Sequence, residues 1–341
     1  MKEGEHMGNP FIDRSVVGYA IAVCASLFLG SSPAFSSALW CHAESRPQPD
    51  GTYVKLSDTG LYCSMRLGTL SADVRFFEPE NELWADGASK RRFIQLPKDS
   101  QIDTADMDNW KFPIGTKVWK EFFLDGRKLE TRLLEKRTDG TWFMMAFAWN
   151  ESETEALPVP DGQLDARDTP HDIPTAAQCN SCHRNASDVL LGVQAMQLAR
   201  ANPWGMSLAS LMATRKISQW PTVWPRYPGT ETDAKGLGYL LANCSNCHRG
   251  LNAPAGLDLS TSVYDMQVTQ TKAYLTAVNV ALTRWLDKGY DYRIVPGDPS
   301  RSAVIARMSV RGSSDQMPRI ATEEVDVHGV AVVSQWIQSL K

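Results

Sequence analysis

The sequence of 341 residues has no basic stripe and no strong excess of either charge, which limits the partners it can have. Its formal net charge is −4 and its pI is about 5.9. Nucleic-acid binders normally carry clustered lysine and arginine, so this balance predicts no nucleic-acid partner. Hydrophobic residues at 43% and charged residues at 22% are ordinary for a globular chain, and the length predicts more than one domain.

Long apolar runs are lacking after the N-terminal region. Residues 16–35 contain the stretch VVGYAIAVCASLFLG, preceded by Arg14 and followed by small residues. This order is typical of a secretory signal peptide, and we expect residues 1–38 to be removed near Ala38, with Ser36 at the other small-residue position. A retained membrane anchor is the alternative, but the run is shorter than the ~20 residues that span a bilayer. The sequence therefore predicts export to the periplasm and a mature chain that does not span a membrane.

Cysteine is scarce, yet four of the seven cysteines fall into two identical patterns. Residues 179–183 read CNSCH and residues 244–248 read CSNCH. Each matches CxxCH, the attachment pattern of c-type haem, in which two thiols bond the haem vinyl groups and the adjacent imidazole reaches the iron. A zinc site or a thioredoxin-like motif is the alternative, but histidine directly follows each pair. We therefore expect two covalently bound haem c groups, attached to Cys179, Cys182, Cys244 and Cys247, with His183 and His248 as iron ligands.

The other cysteines are Cys24, within the apolar N-terminal stretch, and Cys41 and Cys63 in the mature chain. Export places the last two in an oxidising compartment, where thiols form disulfides. We expect a structural disulfide between Cys41 and Cys63.

Residues 231–341 have the pattern of a small all-helical cytochrome. Leu237, Leu240 and Leu241 lead to Cys244 at helical spacing, and residues 330–340 repeat that spacing near the C-terminus. We predict that these two helices cross at a glycine, Gly236 or Gly238.

The sixth ligand of the second haem iron is predicted to be Met317, delivered from the loop that also contains Pro318. A thioether opposite His248 would give the His/Met coordination of many cytochromes c. Met308 is the local rival, but its position in a helical pattern is more typical of a core residue.

Residues 161–230 are predicted to form the first haem-binding helical segment, with a less evident sixth ligand. Met206 is the first candidate, followed by Met212 and then His171. An iron without a sixth protein ligand is the remaining alternative.

Residues 39–160 carry no haem motif and have a different pattern. Runs such as KVWKEFFL and TWFMMAFAW are strand-like, and the turns at Asp125-Gly126 and Asp139-Gly140 predict hairpins. We expect a β-rich sandwich or barrel that serves for docking or spacing. The predicted fold class is thus α+β multidomain: an N-terminal all-β domain followed by all-α, cytochrome c-like haem modules.

Several stretches together resemble bacterial diheme cytochromes c with an N-terminal β region. They are LWADGASKRRFIQLP, FPIGTKVWKEF, ETRLLE, AWNESETEA, the CNSCH site, LGYLLANCSNCH, VPGDPSRSAVIARM and QMPRIAT. The C-terminal part is similar to class I cytochrome c, which implies that the carbonyl of Pro254 accepts a hydrogen bond from His248.

The motifs and the resemblance predict single-electron transfer between redox partners in the periplasm. One alternative is a haem enzyme of the diheme peroxidase kind, with an open site at the first haem. Another is a haem subunit docked on a periplasmic dehydrogenase. The expected partner is accordingly a periplasmic redox protein or dehydrogenase, and the chain is expected to be an electron carrier rather than a catalyst.

Overall fold

A six-stranded antiparallel sheet, in which each strand pairs with its neighbours in chain order, dominates the fold. The computed structural model describes residues 41–320 and 322–341. A separate two-stranded sheet contains β1 (Tyr62–Ser64) and β2 (Thr69–Leu70). The six-stranded sheet contains β3 (Arg75–Phe77), β4 (Ser89–Gln95), β5 (Lys117–Leu124), β6 (Arg127–Lys136), β7 (Trp142–Trp149) and β8 (Ala156–Pro158).

The strands β5 and β6 form the longest hairpin of the sheet. They are joined at Asp125-Gly126, where both residues have positive φ angles, 50° and 78°. A two-residue turn with this geometry matches the twist of paired strands, and the Asp-Gly sequence favours it.

The two faces of the central strands meet different parts of the chain. Phe93, Trp119 and Leu133 are paired across β4, β5 and β6 and are buried on one face. Side chains alternate between the faces of a strand, so the neighbouring residues Lys120 and Arg132 point to the opposite face. The apolar face packs against the segment from Tyr53 to Tyr62, and the disulfide between Cys41 and Cys63 lies in this region.

Six short α-helices accompany the sheet in the described part of the chain. They are α1 (Ala176–His183), α2 (Leu208–Ala213), α3 (Glu231–Asn243), α4 (Lys272–Ala277), α5 (Ala303–Met308) and α6 (Val327–Ser339).

The longest pair, α3 and α6, cross at a glycine. A Cβ on Gly236 would lie 2.5 Å from Cβ and Cγ of Trp336, so no larger residue fits without a shift of one helix. Trp336 itself is fully buried. The close approach predicted for these helices therefore occurs at Gly236.

The predicted fold class is wrong. The largest assembly in the described chain is the six-stranded sheet, and the six helices have at most 13 residues each, so the expected all-α cytochrome c modules are not formed. Local periodicity correctly marks helices such as α3, but it carries no information on how many helices gather into a module. Most of residues 161–230 and 249–302 instead adopt turns, bends and irregular structure.

The predicted signal peptide, residues 1–38, lies outside the described residues, and the domain boundaries at 160 and 230 stay predictions. Residues 41–341 belong to one compact unit. Within the described ranges, none of the helices has the length and apolar character needed to cross a membrane.

Candidate functional site

The two CxxCH motifs meet in one cavity of about 1710 Å³ between the C-terminal helices and the sheet face that bears Lys120 and Arg132. All four motif cysteines and both motif histidines line it. The closest approach is between Sγ of Cys182 and Sγ of Cys247, which are 3.7 Å apart although 65 residues separate them in the chain. Asn185 strengthens the link by donating a hydrogen bond from Nδ2 to the carbonyl of Cys247 at 3.2 Å. The motifs thus form one site.

The first motif occupies the helix α1, of which Cys179, Cys182 and His183 are partly buried and no residue is fully buried. Its N-terminus is closed by a capping box: the Thr175 side chain accepts from the Gln178 backbone N–H at 3.2 Å, and the Gln178 side chain accepts from the Thr175 N–H at 2.9 Å. Such a box satisfies two backbone donors at a helix start. The helix lies against β7 and takes its position from its cap and the sheet.

The second motif begins at the last turn of α3, a helix of the protein core. Cys244 is the C-cap residue of α3, and its N–H donates to the carbonyl of Leu240. Leu237, Leu240 and Leu241 are buried on the face that packs against α6. Helix packing therefore positions this motif.

Both motif imidazoles are held by backbone carbonyls. Nδ1 of His183 lies 2.8 Å from the carbonyl oxygen of Val189, and Nδ1 of His248 lies 3.1 Å from that of Leu257. The acceptor for His248 is thus Leu257 and not the expected Pro254. A hydrogen bond at Nδ1 leaves Nε2 as the free ligand atom of a neutral ring.

Burial keeps both imidazoles neutral. It lowers the pKa of His183 to about 4, against the hydrogen bond to Val189 and with the help of the nearby cations Lys120 and Arg132. The pKa of His248 is also lowered, mainly by burial. Neutral imidazole is the form that binds a metal ion.

The closest thiol pair has unequal acidities. The hydrogen bond with Cys182 and the nearby Arg184 side chain lower the pKa of the Cys247 thiol to about 7, against the effect of burial. The same hydrogen bond, together with burial, raises the pKa of Cys182. The lowered pKa favours thiolate character at Cys247.

The candidate sixth ligands have different locations. Met317 lines the cavity, and so does Met308. Met206 is buried in the core, where its N–H donates to the carbonyl of Phe76, and neither it nor Met212 lines the cavity. His171 does line it, with Nε2 2.8 Å from Oε1 of Glu130.

A charged face of the sheet was not predicted from the sequence. Glu130, which is fully buried, and Arg132, which is partly buried, form an ion pair on β6, with Nε of Arg132 2.8 Å from Oε2 of Glu130. Arg92 and Lys120 of the neighbouring strands line the same cavity. Residues 117–124 do not alternate in polarity, since Val118 and Phe122 share a face with Lys120, so the sequence carried no clear signal for this row of charges.

The prediction of two covalently bound haem c groups in helical modules is wrong. Each motif does present the two thiols and the imidazole that the pattern implies. However, the helical modules are not formed, and within residues 41–320 and 322–341 no group of three or more His, Cys, Asp and Glu side chains could hold a metal ion. Helical periodicity around each motif led to this error, because it indicated two separate helical modules. In the structure the two motifs instead share one cavity beside the sheet.

No protein-family model matches the chain, and no curated protein or solved structure gives a significant match to it. The likeness to diheme cytochromes c accordingly stays a prediction from the sequence.

Proposed function

We propose that the protein transfers single electrons between redox partners in the periplasm, at the cavity that the two CxxCH motifs share. The observation that carries the proposal is the convergence of the two motifs, with 3.7 Å between Sγ of Cys182 and Sγ of Cys247. The separate helical modules and the covalently bound haem groups expected from the sequence are not part of this proposal.

The environment of the motifs supports redox chemistry. Neutral imidazoles with a fixed Nδ1 hydrogen bond are prepared to act as ligands through Nε2. The cavity is partly closed by α3 and by the segment that contains Met317. A redox centre in a cavity of low dielectric with little water changes its charge without much rearrangement of the surrounding solvent. Such an environment favours electron transfer over reactions that form new bonds.

A second candidate function is thiol–disulfide exchange between Cys182 and Cys247. The short distance between the two sulfurs and the pKa of about 7 at Cys247 favour it, since the thiolate is the attacking species. In that reaction each thiol would lose one proton and one electron to an oxidising disulfide, and a new S–S bond would form.

The two functions differ in the number of electrons transferred in each redox step, which is one for electron transfer and two for the dithiol couple. The full chain would be produced in a bacterial host that exports it, and its redox potential would be titrated. Single-electron transfer predicts a Nernst slope of about 59 mV for each tenfold change in the oxidised-to-reduced ratio. A slope of about 30 mV, with loss of free thiols, would favour the dithiol couple.

Two variants make this test specific. Cys182→Ser is expected to remove or shift the single-electron signal of the cavity, whereas Asn180→Ser changes an exposed residue between the motif cysteines that does not line the cavity and is expected to behave as the wild type. A protein with no redox transition of either kind would contradict both functions.

A further inference from the structure

Three cations stand side by side on the cavity face of the sheet. Arg92 of β4 is paired with Lys120 of β5, and Lys120 is paired with Arg132 of β6. Directly opposed residues of antiparallel strands point to the same face, where like charges are destabilising. All three side chains line the cavity. The mutual repulsion of these three cations has to be offset by negative charge nearby.

The two outer cations have acidic partners. Nη1 of Arg92 lies 3.2 Å from Oε1 of Glu82, and Arg132 pairs with Glu130. The central ammonium differs: within the described ranges, Nζ of Lys120 has no hydrogen bond and no ion pair, and it lies 4.8 Å from the centroid of the Phe122 ring.

The surroundings of Lys120 oppose its charge. Burial lowers the pKa of Lys120 well below its usual value, and Arg92, Arg132 and Lys90 lower it further, against the attraction of Glu130. A negative group beside Nζ would counteract all of these effects, because it would replace the lost solvation and offset the neighbouring cations.

The geometry points to an oxyanion-binding site centred on Lys120, where the cavity receives a carboxylate or phosphate group. Cys179 and Cys182 line the same cavity. The oxyanion therefore has two sources: a free anion, or a carboxylate of a group held at those thiols. The site goes beyond electron transfer, since the cations would bind an oxyanion whichever redox reaction the thiols support.

Thermal unfolding of three full-length proteins tests the site: the wild type, Lys120→Gln, and the matched control Lys98→Gln, which alters an exposed lysine. Each is measured in sodium chloride and in sodium phosphate at equal ionic strength and neutral pH. If a free anion is the ligand, phosphate raises the Tm of the wild type and of Lys98→Gln by about 2 °C or more, and leaves that of Lys120→Gln unchanged.

A carboxylate that belongs to a group held at the thiols gives a different result. It would already occupy the site, so the Tm of Lys120→Gln would lie below that of the wild type in chloride, and phosphate would not raise the Tm of any of the three proteins. Without any bound oxyanion, the same substitution removes a buried repulsion, so a variant at least as stable as the wild type in both salts would overturn the proposal. Equal stabilisation of all three proteins by phosphate would overturn it as well. Lys120→Met, which keeps the aliphatic stem, repeats the test if the glutamine variant fails to fold.

Discussion

The two CxxCH motifs share one sequence pattern but are held in place by different forces. The first lies on α1, a helix without fully buried residues that depends on its cap and on the sheet. The second follows α3, whose buried leucines pack against α6. The comparison shows that a short motif specifies its chemistry, whereas its surroundings specify its rigidity. Stability changes should therefore affect the two motifs differently.

The packing of α3 against α6, which positions the second motif, should give the largest effect on stability. Trp336→Ala removes the fully buried ring that contacts Gly236, so we expect the free energy of unfolding to fall by about 3–5 kcal/mol, as for other buried aromatic truncations. Urea denaturation measures the loss. Trp204→Ala is the control, because that ring is 90% exposed and should change stability by less than about 0.5 kcal/mol. A similar effect of both substitutions would contradict the assignment of the second motif to a packed core.

The stability of the sheet, against which the first motif lies, depends on the ion pair of Glu130 and Arg132. Glu130→Gln leaves Arg132 without its counter-charge, and we expect a loss of about 3 kcal/mol in urea denaturation at neutral pH. Glu151→Gln is the control, because Glu151 is exposed and its ion pair with Arg167 should contribute less than about 1 kcal/mol.

The pH dependence of this loss has a definite sign. Burial raises the pKa of Glu130, but Arg132 and His171 outweigh burial and hold it below the usual value of 4.5. A carboxyl group with a lowered pKa stabilises the fold above its unfolded-state pKa and loses that contribution as the pH falls through the folded-state value. The difference between the wild type and Glu130→Gln should therefore narrow below pH 4.5. A gap that widens in acid would disprove the ion-pair explanation.

The smallest expected effect on stability comes from the N-terminal caps of the two motif helices. Thr175 and Thr230 form the same kind of capping box, at the starts of α1 and α3. Replacing either by alanine should cost about 1 kcal/mol. For Thr230→Ala we expect the loss in global unfolding, because α3 belongs to the core. For Thr175→Ala we expect faster amide hydrogen exchange in residues 176–183 with nearly unchanged global stability. Identical behaviour of the two variants would remove the contrast between the motifs.

Short-range patterns were the most reliable guide from the sequence. The Asp125-Gly126 hairpin follows from the backbone preferences of two adjacent residues, and the approach of α3 to α6 at Gly236 follows from the lack of a side chain. Module architecture was not predictable in this way. The helical spacing near both motifs indicated all-α modules, but the sheet supplies one wall of their common cavity.

The candidate site shows the same limit. Val189 and Leu257, whose carbonyls hold the motif imidazoles, are ordinary apolar residues with no side-chain signal for that role. Met206 was the first candidate ligand on spacing, yet it lies in the core. Backbone acceptors and buried positions depend on the path of the chain, which residue type does not reveal.

The order of the residues establishes the two CxxCH patterns, because covalent spacing alone defines their thiols and imidazoles. It does not establish that Cys182 and Cys247 lie 3.7 Å apart, or that Arg92, Lys120 and Arg132 form a row. Both arrangements depend on contacts between distant segments, and strand register and helix packing select such contacts through the burial of the whole apolar surface.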